Sequence, residues 1–174
     1  MNWYKKAQKE ECKGWLAVRL SSKEKKKIQE WSNKNITEDM LCKEEGGREL
    51  DTHITVVYGI CAKDTDIIKS IFKNKKTKIK ATLKNIGFFK PDKNYEPLII
   101  KVESKDLEKL NEEISNILHI ESTHDEYKPH CTIAYIKKGE ANKFAGNKIF
   151  NGIELTLDKI VFINTNKEEI EIKL

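Results

Sequence analysis

His53-Ile54-Thr55-Val56-Val57-Tyr58 and His130-Cys131-Thr132-Ile133-Ala134-Tyr135 read alike: histidine, any residue, threonine, two apolar residues, tyrosine. The chain has four histidines and ten threonines in 174 residues. A threonine two places after a given histidine then arises by chance about 6% of the time. Two matches, each followed by a matching tyrosine, make coincidence a poor account. Side chains of an extended strand alternate between faces, so the His and Thr of each motif point the same way. The same parity puts Tyr58 and Tyr135, five places after their histidines, on the opposite, core-facing side. Each motif therefore sets a proton-transfer group beside a hydroxyl. Two such strands facing one cleft make a symmetrical acid–base site.

Working outward, the order of elements repeats. Residues 14–20 read as a strand with Leu16, Val18 and Leu20 on one face. Ser21-Ser22-Lys23-Glu24 then has the S-x-x-E pattern of a helix start. That helix runs to about residue 33 and keeps Ile28 and Trp31 on one face. In the second half Leu98-Ile99-Ile100-Lys101-Val102 is a strand. Ser104-Lys105-Asp106 opens a helix carrying Leu107, Leu110, Ile114 and Ile117. Sliding the chain by about 82 places aligns Arg19 with Lys101 and Ser22 with Ser104, a single internal duplication. Polar loops at 34–52 and 119–129 lead into the two motifs. A short helix over 64–73, a strand over 77–89, a helix near 138–145 and a closing hairpin of 153–163 with 168–174 complete the reading. This predicts an α+β protein: two sheet lobes, helices outside and a cleft between. The whole of 1–174 reads as one domain with interleaved lobes and an N-terminal arm over about 1–13.

The composition, 38% apolar and 35% charged, is that of a globular chain rather than a disordered one. No apolar stretch approaches the roughly 20 residues of a membrane span. The N-terminus lacks a signal-peptide apolar run, so a cytoplasmic setting is expected. Cys12, Cys42, Cys61 and Cys131 show no C-x-x-C spacing and read as reduced thiols. The net charge of +5 suits an anionic ligand. The basic run Lys73-Asn74-Lys75-Lys76-Thr77-Lys78 reads as a solvated turn.

If Leu16, Val18 and Leu20 pack under the helices, then Trp15, Ala17 and Arg19 face the cleft. Arg19 and Lys101 become candidates to hold phosphate, and Trp15 to stack on a base. Tyr127, three residues before His130, is a second candidate base platform at the cleft mouth. Phe88 and Phe89 point to opposite faces, one for the core and one for stacking. Arg48 reads as a surface residue. Cys131 points away from the cleft. His119 and His124, with Asp125 and His130, lack the ligand spacing of a metal site and read as a polar loop, so neither a metal nor a cofactor is expected.

HITVVYG and KPHCTIAY, with NIGFF and PLIIKV between them, resemble the 2H phosphoesterase superfamily. That superfamily includes the bacterial 2′–5′ RNA ligase-like proteins and cyclic phosphodiesterases. The resemblance spans about residues 14–163 and implies antiparallel sheets lining the cleft, with His53 and His130 as the catalytic pair and Thr55 and Thr132 as their partners. It also implies metal-independent hydrolysis of a nucleotide phosphodiester: a 2′,3′-cyclic phosphate, a 2′–5′ linkage, an RNA end or, as in some phage members, a cyclic oligonucleotide defence signal. No obligate protein partner and no membrane contact is expected. A non-catalytic RNA- or nucleotide-binding module is the competing expectation, and a metal-dependent hydrolase using the 119–130 loop is a third.

Overall fold

Two His-Thr strands lie side by side at the middle of one sheet, and the rest of the fold is arranged around them. The computed structural model describes residues 12–73, 75, 77–91, 93–120 and 126–174. Its strands are β1 (Gly14–Arg19), β2 (His53–Ile60), β3 (Ile79–Phe88), β4 (Tyr95–Glu103), β5 (His130–Lys137), β6 (Glu154–Leu157), β7 (Lys159–Ile163) and β8 (Glu169–Lys173). They form one sheet of order β6-β3-β4-β5-β2-β1-β7-β8, and every paired neighbour is antiparallel. Lobe one is β2-β1-β7-β8 and lobe two is β5-β4-β3-β6, so strand for strand they match about a central pseudo-twofold. Among the described residues the lobes share a single ladder pair, Ile54 with Cys131.

Among the described residues three α-helices, α1 (Ser22–Asn35), α2 (Thr65–Phe72) and α3 (Lys105–Leu118), cover the sheet. Ser21 caps α1 by accepting from Glu24 N, and Ser104 caps α3 by accepting from Leu107 N, both local signals legible in the sequence. Each long helix follows the second strand of its own lobe and reaches across the seam: α1 packs against β5, and α3 against β2 and β3. Leu16, Val18 and Leu20 are buried beneath them, with Ile28 of α1 and Leu107, Leu110 and Ile114 of α3. Each fully buried aliphatic side chain of this kind is worth roughly 1.5–3 kcal/mol of transfer free energy.

Several expectations change. The stretch 153–163 is not one strand: it breaks at Asp158, so that β6 pairs with β3 in lobe two and β7 with β1 in lobe one. Buried Leu155 and Leu157 give way to buried Ile160 and Phe162, a change of parity that marks the break. Residues 138–145 contain only a 3-10 turn, Ala141–Lys143. Cys12 and Cys61 are joined in a disulfide between the chain before β1 and the chain after β2, which corrects the reading of four reduced thiols; Cys42 and Cys131 are free. Arg48 is not a surface residue. Its guanidinium donates to Ser32 O and Ile36 O, each at 3.1 Å, capping the C-terminus of α1. Its Nη2 also meets Glu38 Oε1 at 3.0 Å. Among the described residues no helix is long and apolar enough to cross a membrane. Residues 1–11 of the expected arm, Asn74 and Lys76 of the basic run, and His124 with Asp125 lie outside the described residues.

Candidate functional site

Because Ile54 faces Cys131, His53 lies across the seam from Thr132, and Thr55 across from His130. Facing positions of an antiparallel pair stand about 5 Å apart. The side chains of Ile54 and Cys131 are fully buried, while the four motif side chains, all half-buried, share the other face. The two motifs therefore make one compact quartet rather than two separate sites.

The imidazoles are held alike. His53 Nδ1 lies 2.8 Å from the carbonyl oxygen of Asp51, and His130 Nδ1 lies 2.7 Å from that of Lys128. A carbonyl only accepts, so each Nδ1 carries the hydrogen and donates it. Both rings thus hold the same tautomer and are fixed in the same way. An aromatic ring backs each histidine: Trp15 at 4.9 Å between centroids from His53, and Phe89 edge-on at 4.8 Å from His130. Phe88 is the partner that packs on the core. Trp15 is on β1, whose counterpart in lobe two is β4, whereas Phe89 directly follows β3, so the pseudo-twofold fails here.

The cations expected at the cleft occupy equivalent places, since Arg19 pairs with His53 and Lys101 with His130. Their surroundings differ. Arg19 is gripped by Glu169, with Nη2 at 2.7 Å from Oε2, and by Asp51 at 3.0 Å. The hydrogen bond that it donates to Glu169 is the main reason that its pKa lies above the ordinary arginine value. Lys101 is exposed and lays its stem over Gly87, where an added Cβ would stand only 2.8 Å from Lys101 Cε. Tyr127 is not an open base platform. Its hydroxyl donates to Thr55 O at 2.8 Å, its ring packs against the core, and burial pushes its phenol well above the ordinary value. It is a strut between the chain just before the second motif and the first motif. Cys131 does point away from the cleft, and burial raises its thiol strongly. His119 is exposed in the left-handed turn that ends α3.

The largest departure concerns the tyrosines. On β1 the partners run Leu16–Val57, then Ala17–Thr55, so Val56 is an extra, bulged residue. On β5 they run Leu98–Ala134, then Ile99–Thr132, so Ile133 is extra. Both bulges fall three places after the histidine, and each flips the parity of the residues beyond it. Tyr58 pairs with Trp15 and Tyr135 with Pro97, on the face that carries the His-Thr quartet. Other groups satisfy the bulged carbonyls: Asn111 Nδ2 donates to Val56 O at 2.7 Å, and Glu49 N donates to Ile133 O at 2.9 Å. Two consecutive apolar residues between Thr and Tyr in both motifs are the sequence signal for this.

An antiparallel two-lobed fold with one His-x-Thr strand per lobe defines a two-histidine phosphoesterase. The family model described as anti-CBASS protein Acb1 matches residues 14–171, and the chain belongs to that family. Among solved structures, TT0787 of Thermus thermophilus is similar with a TM-score of 0.64 at 16% identity, covering 93% of this chain and 94% of that one. LigT of E. coli complexed with 3′-AMP is similar with a TM-score of 0.63 at 11% identity, covering 94% and 95%. At such identities these likenesses speak for the fold. No curated protein matches the sequence significantly.

Proposed function

We propose that the protein is a metal-independent phosphodiesterase that hydrolyses a cyclic oligonucleotide defence signal by two-histidine acid–base catalysis. The observation that carries the proposal is the matched pair of imidazoles on the two central strands, each fixed by an Nδ1–H donated to a backbone carbonyl. One neutral histidine takes a proton from the attacking water as its oxygen bonds to phosphorus. The other, protonated, gives its proton to the leaving oxygen as the opposite P–O bond breaks. Both proton transfers are thus supplied by side chains, which is why no metal-bound nucleophile is required. Thr55 and Thr132 hydrogen-bond the non-bridging oxygens, where negative charge builds in the transition state. Lys101 adds a cation beside His130, while Arg19, already paired with two carboxylates, orders the wall beside His53. Family membership favours a cyclic oligonucleotide among phosphodiesters, and LigT, captured with 3′-AMP and with ATP, supports a nucleotide in this cleft.

The test is a cleavage panel in EDTA that compares wild type with His53→Ala and His130→Ala. It contains cyclic di- and trinucleotides, 2′,3′-cyclic mononucleotides, and 2′–5′ and 3′–5′ dinucleotides. Wild type should cleave the cyclic oligonucleotides, each variant should lose about 10²–10⁴ in rate, and activity should fall on both sides of a pH optimum. Full activity in either variant, or complete loss in EDTA, would sink the reading.

A further inference from the structure

The floor of the cleft has an order along the strands that the quartet alone does not use. Running along the seam come Tyr135, then Thr132 beside His53, then His130 beside Thr55, then Tyr58. Each tyrosine lies four residues beyond the central Ile54–Cys131 pair, one of them bulged, which places it roughly 10 Å from the centre. A phosphodiester at the quartet has one nucleoside on either side at about that reach. Resting on the nucleotide reading above, we propose that Tyr58 and Tyr135 are the platforms for the two nucleosides that flank the scissile phosphate.

The two platforms are unequal. Tyr58 is 63% exposed, unusual for a large aromatic side chain in the middle of a sheet, and stands beside Trp15. Tyr135 is half-buried: Tyr95 meets it edge-on at 5.8 Å, and a Cβ on Gly46 would stand 3.8 Å from its ring. Burial raises its phenol above the ordinary tyrosine value. The open platform tolerates different bases. The lined one discriminates among them, because its neighbours constrain what fits.

Equilibrium binding of a phosphorothioate-linked cyclic di-adenylate, which resists cleavage, provides the test, with inorganic phosphate as the control ligand. Tyr58→Ala and Tyr135→Leu should each weaken the dinucleotide about tenfold or more, the usual loss of one base–aromatic stack. Tyr58→Phe should keep the affinity, and phosphate should bind all variants equally. Should Tyr135→Leu fail to fold, the exposed Tyr58→Ala decides the matter. Wild-type affinity in Tyr58→Ala, equal loss of phosphate affinity, or no binding of the dinucleotide by wild type would overturn the proposal. The two readings fail separately. Binding that depends on Tyr58 without cleavage of the all-oxygen dinucleotide rejects the hydrolase only. Cleavage with unchanged Tyr58→Ala affinity rejects the platforms only.

Discussion

Asp51 lends His53 its backbone and Arg19 its side chain. Its carbonyl accepts from His53 Nδ1, and its carboxylate meets both Arg19 and Lys25. Burial works to raise this carboxyl, but the Lys25 hydrogen bond and the charges of Lys25, Arg19 and His53 outweigh it and hold the pKa below the ordinary value. A carboxyl lowered on folding contributes stability at neutral pH, and that contribution disappears as pH falls through and below the usual carboxylate range, about 3.9. Asp51→Asn should therefore melt lower than wild type at pH 7 and differ little from it at pH 3. Thermal melts at the two pH values check this, and an equal deficit at both would contradict it. His53, Thr55, His130 and Thr132 were legible in the sequence because their chemistry is written in residue type and spacing. Glu169 was not. It lies 150 positions from Arg19 and reaches it only because β8 pairs with β7, so from sequence Arg19 reads as an open phosphate ligand.

At the scale of elements, the helix starts at Ser21 and Ser104 were readable because a cap is a local bond between neighbours in the chain. The bulges were not, because an extra residue shows itself only against a partner strand. Strict alternation then sent Tyr58 and Tyr135 to the wrong face. The bulge in β2 is held from outside, by Asn111 on Val56 O and Tyr127 on Thr55 O, both side chains from the second half of the chain. Asn111→Ala leaves the Val56 carbonyl without its donor, a cost of about 1–3 kcal/mol. It also loosens the backbone that aims Thr55. Urea denaturation and a cleavage assay on the same variant should show both losses. Wild-type stability would mean that water replaces the amide.

At the scale of the whole molecule, lobe one is built from both ends of the chain and lobe two from its middle. The duplicated order of strand, helix and motif was visible from the sequence. The interleaving was not, since β1 pairs with β7 across almost the full length of the chain. The two halves meet at Ile54 and Cys131, directly beneath the His-Thr quartet. Cys131 is fully buried there with its thiol strongly raised, whereas free Cys42 is only half-buried. A thiolate forms and meets a reagent at such a place only when the surroundings open. A maleimide should thus label Cys42 first and Cys131 slowly, and a cyclic dinucleotide spanning the seam should slow the second event further, as intact mass would report. Equal and rapid labelling of both would show a seam that stands open. The thiol beneath the histidines is in effect a stopwatch, and it times how often the two halves of the protein part under whatever they hold.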